Sequence, residues 1–352
     1  MTEKGFDPIE LAETLRPKMI DLENKKVLLA TLSGTAQEQD LDPRRFWNSI
    51  FRAKLYTKPG EDNYFRGEPA GVAAAKLTNK KDDVWVSPRE CNRVFLGQIN
   101  GCNLKCWYCY VDDVAKSGNP AYGKYVSAYK YLIQFLIESR KSQNCIQPDS
   151  KLNILRISGG EVFIVPEIIF WMIETLEKFE LQDYIYIWVD CNLCTGNFYW
   201  KYLTEEQRIK IRQYKNIGFC GCYKGIDPEN FFENTGAHPD FFYKQFEMHK
   251  ALINEGLDVY SYLYPVTSLE RALDIRIMGF MDLLQHVDHF APLRMATPII
   301  KPFSPTRDRL NHKRDSSLEI QHKAIKLWED ELKKRFGEDA KRAPHEIPCV
   351  TK

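Results

Sequence analysis

Three cysteines stand close together in Asn100-Gly101-Cys102-Asn103-Leu104-Lys105-Cys106-Trp107-Tyr108-Cys109-Tyr110, a C-x3-C-x2-C spacing. Three thiolates on one tight loop can each ligate one iron of a cubane 4Fe–4S cluster. The fourth iron then has no protein ligand and can bind a small molecule, as a catalytic cluster must. Three other readings compete. A structural zinc site wants four ligands, usually in C-x2-C pairs. A ferredoxin-like cluster wants a fourth cysteine nearby, and Cys91 is the candidate. Three unrelated buried cysteines would not require such tight spacing.

Other groups follow at the ends of apolar runs. Leu152–Ile157 runs into Ser158-Gly159-Gly160-Glu161. Glycines let a ligand approach the backbone closely, and a carboxylate can accept from an ammonium group. A plain turn with an exposed glutamate is the blander alternative. The next run ends in Asp190-Cys191-Asn192-Leu193. Asp190 and Asn192 share one face there, because strand side chains alternate; a capping turn would use the same residues. A later run leads into Cys222-Tyr223-Lys224-Gly225, then Thr235-Gly236, and another closes with Tyr264-Pro265-Val266.

The cysteine motif resembles that of the radical S-adenosylmethionine (radical SAM) superfamily, whose hallmark is C-x3-C-x-aromatic-C after the first barrel strand. Cys102, Cys106 and Cys109 match it, and Tyr108 fills the aromatic position. The resemblance implies SAM chelated to the open iron and Tyr108 at the adenine. It implies the Gly-Gly-Glu motif, Ser158 to Glu161, at the SAM amino group, and Asp190 and Asn192 at the ribose. Cys191 and Leu193 replace the Thr and Gly of the family's ribose motif. The later series is similar to the glycyl-radical-enzyme activating branch, which shares features with 7-carboxy-7-deazaguanine synthases. Lys224 matches that branch's lysine and would contact SAM or a substrate carboxylate. Cys222 stands where the branch has Asp, and Thr267 where it has Gly. By this resemblance the chain is an oxidoreductase. It cleaves SAM reductively to a 5′-deoxyadenosyl radical, which abstracts hydrogen from a protein, peptide or small-molecule substrate, with an electron donor such as ferredoxin or flavodoxin. The alternative is an electron-transfer or structural iron–sulfur protein that does not cleave SAM.

The remaining candidates have weaker patterns. Cys220, Cys222 and Lys224 share a strand face, so Cys222 is a candidate catalytic thiol. Cys191, Cys194, Cys220 and Cys222 could hold a second cluster, though alternation points Cys191 away. Cys145 and Cys349 have no partner pattern. His286 and His289 read as ordinary packing or hydrogen bonding. Arg294 reads as a salt bridge or a carboxylate partner. Arg307–Arg314 is a basic run of the kind that is usually solvated.

Positioning these groups takes a regular scaffold. The strands Val94–Ile99, Leu152–Ile157, Tyr184–Asp190, Ile217–Cys222, Val259–Tyr264 and Val287–Phe290 alternate with helices over Val126–Arg140, Pro166–Phe179, Thr204–Tyr214, Asp240–Gly256 and Ser268–Leu284. Such alternation implies an α/β fold on a parallel sheet. Six units are too few for a closed eight-stranded barrel. The expectation is a partial (β/α)6 TIM-like barrel over residues 91–296, the site lying at the C-terminal ends of its strands. Residues 1–90 form a mostly helical and loop extension. Asp7-Pro8-Ile9-Glu10 starts a helix that Pro17 interrupts, a second helix runs through Lys18–Leu32, and another lies near Phe46–Phe51. A short strand falls at Asp83–Val86. Residues 297–352 form a second extension, with an amphipathic helix over Ser317–Phe336 that covers part of the barrel or its mouth.

Composition limits the partners. The chain has 352 residues, with 49 Lys+Arg against 48 Asp+Glu, so its net charge of +1 provides no field to draw in nucleic acid. Apolar residues make up 44%, enough for a large core. The opening residues carry no basic start followed by an apolar run, and no stretch is long enough to span a membrane. Ten cysteines in such a chain are expected as reduced thiols or metal ligands in the cytoplasm.

Overall fold

The computed structural model describes residues 5–40, 46–47, 50–55, 93–145, 152–342 and 344–348. The strand expected at Asp83–Val86, Cys91 and Cys349 lie outside them. The first helix, α1 (Pro8–Met19), opens as its sequence dictates: Asp7 Oδ1 accepts from the Ile9 amide at 2.7 Å, and Pro8 occupies the first turn. Pro17 does not interrupt it; the helix continues two residues further.

Lys18–Leu32 is not a helix. It forms a hairpin, β1 (Ile20–Asp21) and β2 (Lys26–Ala30), turning through Lys25 at φ 50°. An unbroken apolar run such as Val27-Leu28-Leu29-Ala30 suits a buried strand as well as a helix. Phe46–Phe51 likewise yields strands, β3 (Phe46–Trp47) and β4 (Phe51–Leu55), where a helix was expected. Both β2 and β4 lie antiparallel against β5 (Arg93–Ile99), so the N-terminal residues extend the central sheet. β6 (Gly123–Ser127) flanks β2 and leads into α2 (Ala128–Cys145).

From β5 the sheet is parallel. It continues through β7 (Leu152–Gly159), α3 (Glu167–Lys178), β8 (Tyr186–Cys191), α4 (Phe198–Tyr202), α5 (Glu205–Gln213) and β9 (Ile217–Tyr223). Then follow α6 (Pro228–Thr235), α7 (Phe241–Asn254), β10 (Val259–Leu263), α8 (Leu273–Val287) and β11 (Met295–Ala296). The parallel strands stand in the order β5-β7-β8-β9-β10-β11, with no reversal. That order excludes a doubly wound sheet, and right-handed crossovers place the connecting helices on one face. The last strand is Met295–Ala296 and not Val287–Phe290; α8 runs on through Val287.

The two faces are filled differently. The helix-side core contains Phe95, Ile99, Leu155, Ile157, Ile187, Val189 and Phe219. The opposite face carries the alternate residues Val94, Ile154, Tyr186, Trp188, Cys220, Cys222, Tyr260, Tyr262 and Ala296. The chain closes with α9 (Ser304–Arg307) and α10 (His312–Phe336). α10 lies along α8, with Trp328 edge-on to Phe280 at 6.1 Å. Among the described residues no helix is long and apolar enough to cross a membrane.

Candidate active site

The cysteine loop leaves the C-terminal end of β5 and is tied down at almost every residue. Asn100 is fully buried; its side chain donates to the carbonyls of Asn119 and Tyr122 and accepts from the Gly118 amide. Cys102 N donates to Lys116 O at 3.0 Å. Asn103 Nδ2 bridges Pro8 O and Cys194 O. Trp107 donates through its backbone to Asn234 O and through its indole to Asn234 Oδ1 at 2.8 Å. Asn234 in turn reaches the carbonyls of Lys224 and Val266. The loop is therefore sewn to the ends of β9 and β10 before any ligand is considered.

Cys102, Cys106 and Cys109 all line one cavity of about 110 Å³, open at its mouth. Ser158, Gly159, Gly160, Glu161, Asp190, Asn192, Cys222, Lys224, Tyr108 and Tyr264 line it too. The three thiols are close enough to interact electrostatically. Burial, then the neighbouring Cys106, pushes the Cys102 thiol up to about 12. Burial also raises Cys106, against the pull of Lys224. Metal binding at such thiols must release their protons, because the thiolate is the ligand. Among the described residues no three His, Cys, Asp or Glu side chains converge as one metal ion requires.

The two glycines of the Ser158–Glu161 turn serve packing. A Cβ on Gly160 would meet the Gly101 carbonyl oxygen at 2.0 Å and that of Ile99 at 2.6 Å. Gly159 has φ 92°, and a Cβ there would strike Gln98. Gly160 N donates to Ile99 O and Glu161 N to Gly101 O, at 2.9 and 2.8 Å. The turn thus fixes the start of the cysteine loop by direct backbone contact.

Glu161 is buried, and its carboxylate accepts from the amides of Phe163 at 3.0 Å and Asn192 at 2.6 Å. Among the described residues it has no ion-pair partner. Burial pushes it from its ordinary 4.5 up to about 7, although both amides favour the charged form. Between those values the folded chain keeps a proton that the unfolded chain has lost. This group's contribution is therefore full below pH 4.5 and falls as pH rises toward 7, by on the order of 3 kcal/mol. We expect Glu161→Gln to lack that component; thermal melts of both proteins at pH 5 and pH 8 measure it, and parallel pH slopes would refute it.

Asp190 is already engaged. Arg156 donates to it from Nε and Nη2 at 2.8 and 2.7 Å, and the Trp188 indole occupies its other oxygen at 2.8 Å. Asn192 lies nearer the cysteines: its Nδ2 donates to Asn103 Oδ1 at 2.7 Å, with Cys102 Sγ 3.9 Å away. Gln245, on the apolar face of α7, was missed in the sequence. Its Nε2 donates to Asn192 O at 2.6 Å and Cys222 O at 3.1 Å, locking the ends of β8 and β9 together. The available signal was a glutamine among Phe241, Phe242, Phe246 and His249 on the buried side of a helix.

At the end of β9, the Lys224 ammonium lies 5.0 Å from the Tyr264 ring centre and has no ion-pair partner among the described residues. Burial opposes its charge, but Cys222, Cys106 and Tyr108 outweigh this and hold it protonated. Tyr108 leans on Tyr264 with ring centres 5.5 Å apart. A side-chain hydrogen bond with Cys220 sets Cys222 below its ordinary value against burial, helped by Lys224.

Other candidates lie elsewhere. Cys191 and Cys194 belong to the helix-side core and Cys220 and Cys222 to the opposite cluster, so the four do not share one face of the sheet. Arg294 is buried at the far end of β10, bonded to Val259 O, Ile347 O and Asp258. His286 is bonded to Asp282 O, and His289 packs on Phe290 and Phe336. In the run Arg307–Arg314, Arg309 holds the cysteine loop and Arg314 lies over Trp107.

No protein-family model and no curated protein matches the chain. Among solved structures, Streptococcus suis SuiB bound to S-adenosylmethionine aligns at 17% identity and TM-score 0.33, over 53% of this chain and 36% of that one. SuiB bound to precursor peptide SuiA aligns at 16% identity and TM-score 0.35, over 60% and 50%. The chain therefore spans half or less of the length of these structures, and the likeness is too slight to carry an assignment.

Proposed function

We propose that the chain is a radical SAM enzyme built on a partial barrel. In this reading Cys102, Cys106 and Cys109 hold a 4Fe–4S cluster, and Tyr108, the Ser158–Glu161 turn, Asn192 and Lys224 hold SAM beside it. The observation that carries the reading is the convergence of these groups, from four separate strand ends, on one cavity. The cavity also holds a buried carboxylate, Glu161, and an ammonium, Lys224, that feel each other's charge yet form no direct ion pair among the described residues. A ligand carrying both an ammonium and a carboxylate would satisfy each.

A bound cluster would supply the electron for reductive cleavage of SAM, the chemistry belonging to the cofactor. The protein's own groups bind and shield. Glu161, ionised by an incoming ammonium, fixes the ligand's amino end. Lys224 fixes a carboxylate. Tyr108 and Tyr264 offer an aromatic wall and exclude water. Asp190 Oδ1 accepts from the Trp188 indole and keeps a second lone pair, so in this reading Asp190 orients Arg156 through Oδ2 and, with Asn192, faces the ligand's ribose. Cys222 and Arg156 line the remaining space, where a peptide or small-molecule substrate would enter; ferredoxin or flavodoxin would donate the electron.

The test is anaerobic. Protein reconstituted with iron and sulfide, reduced with dithionite and given SAM should release 5′-deoxyadenosine, read by chromatography. A bound cluster whose spectrum ignores SAM, with no 5′-deoxyadenosine under several reductants, would overturn the reading.

A further inference from the structure

The cysteine loop is gripped from outside by a segment almost 200 residues away. Arg309 Nη1 donates to Cys109 O at 2.7 Å, and Nη2 to Val111 O at 3.0 Å. The same guanidinium pairs with Asp113 at 3.1 Å, and Asp113 also holds Lys116 at 2.8 Å. Lys116 O is the acceptor for the Cys102 amide. One side chain therefore reaches the first and third cysteines, directly or through Asp113 and Lys116. The segment is itself anchored: Ser304 bonds Asp40 through its backbone amide at 2.6 Å and its hydroxyl at 3.0 Å, Thr306 Oγ1 donates to Tyr108 O at 3.5 Å, and Arg314 lies over the Trp107 ring at 5.6 Å.

We propose that Ser304–Arg314 is a positioning strap for the cysteine loop, with Arg309 as its decisive residue. This rests on the reading of the loop as a cluster site, but not on the substrate. A forked guanidinium is the group suited to hold two carbonyls and a carboxylate at once; a lysine reproduces the charge and not the fork. Its positive charge lies beside the loop where a cluster held by three thiolates would gain negative charge on reduction. Arg309 therefore both fixes the loop and favours the reduced state.

The experiment compares the full chain with Arg309→Gln and Arg309→Lys. In the metal-free proteins, amide hydrogen exchange over residues 102–113 should quicken about tenfold in Arg309→Gln, and less in Arg309→Lys, the scale of one lost charge-assisted bond. After reconstitution, Arg309→Gln should lose iron faster and show a lower cluster midpoint potential, while Arg309→Lys keeps the potential and loses iron at an intermediate rate. Unchanged exchange, iron loss and potential would overturn the proposal. If Arg309→Gln folds poorly, Arg309→Lys decides alone: faster loop exchange at an unchanged melting temperature supports the strap, and wild-type exchange refutes it. If the wild-type chain takes up no cluster, the functional reading fails, and exchange of the metal-free loop still judges the strap.

Discussion

Cys106→Ala should abolish 5′-deoxyadenosine formation, whereas Cys91→Ala should leave a cluster in place. The contrast follows from the number of protein ligands. With three cysteines, removing Cys106 leaves two and the cluster no longer holds. Cys106 is buried in the loop, interacting with Cys109 and with Lys224 across the cavity. Replacing a small buried thiol costs the metal-free fold only about 1 kcal/mol, so near-native melting would separate lost chemistry from lost structure. A four-cysteine carrier reverses the outcome for Cys91: iron content and the visible absorption band would then collapse in Cys91→Ala as well. Iron analysis of the two variants against wild type decides between the readings.

Gly160→Ala should be the most damaging single methyl in the fold. The added carbon would lie 2.0 Å from the Gly101 carbonyl oxygen, at the start of the cysteine loop, and 2.6 Å from that of Ile99, at the end of β5. Backbone cannot swing aside as a flexible side chain can, so the turn and loop must separate and their two backbone hydrogen bonds with them. We expect a loss of about 3 kcal/mol or more, at the upper end of overpacking effects. Gly279→Ala is the matched control. It sits on the exposed side of α8 with nothing within 4 Å of the added carbon, and should be neutral or stabilising by up to ~1 kcal/mol. Denaturant melts of both variants measure the difference; equal stabilities would refute the contact.

The sequence makes the parallel strands legible because each is a short apolar run ended by turn residues and followed by a helical period. It hides β11, whose two residues carry no period, and the hairpin at β1 and β2, whose apolar run fits either element. The residues meeting at the cavity are legible through their spacing from strand ends. Their partners are less so. Arg156 and Asp190 sit on neighbouring strands, yet nothing local says that the ion pair forms. Arg309 and Gln245 act across separations of 200 and 53 residues, where only tertiary structure reveals the acceptor. The basic run Arg307–Arg314 has a solvated look in sequence because composition does not show which carbonyls it faces.

The grip of Arg309 on the cysteine loop also sets a timetable. During synthesis the loop leaves the ribosome about 200 residues ahead of its strap, an interval of roughly 10–40 s at ~5–20 residues per second. Through that interval Cys102, Cys106 and Cys109 are present without the bonds that Arg309 makes to their loop. If the loop takes up a cluster as proposed, iron and sulfide reaching a nascent chain would meet a loop not yet strapped, and the strapped loop would exist only once the distant segments have met.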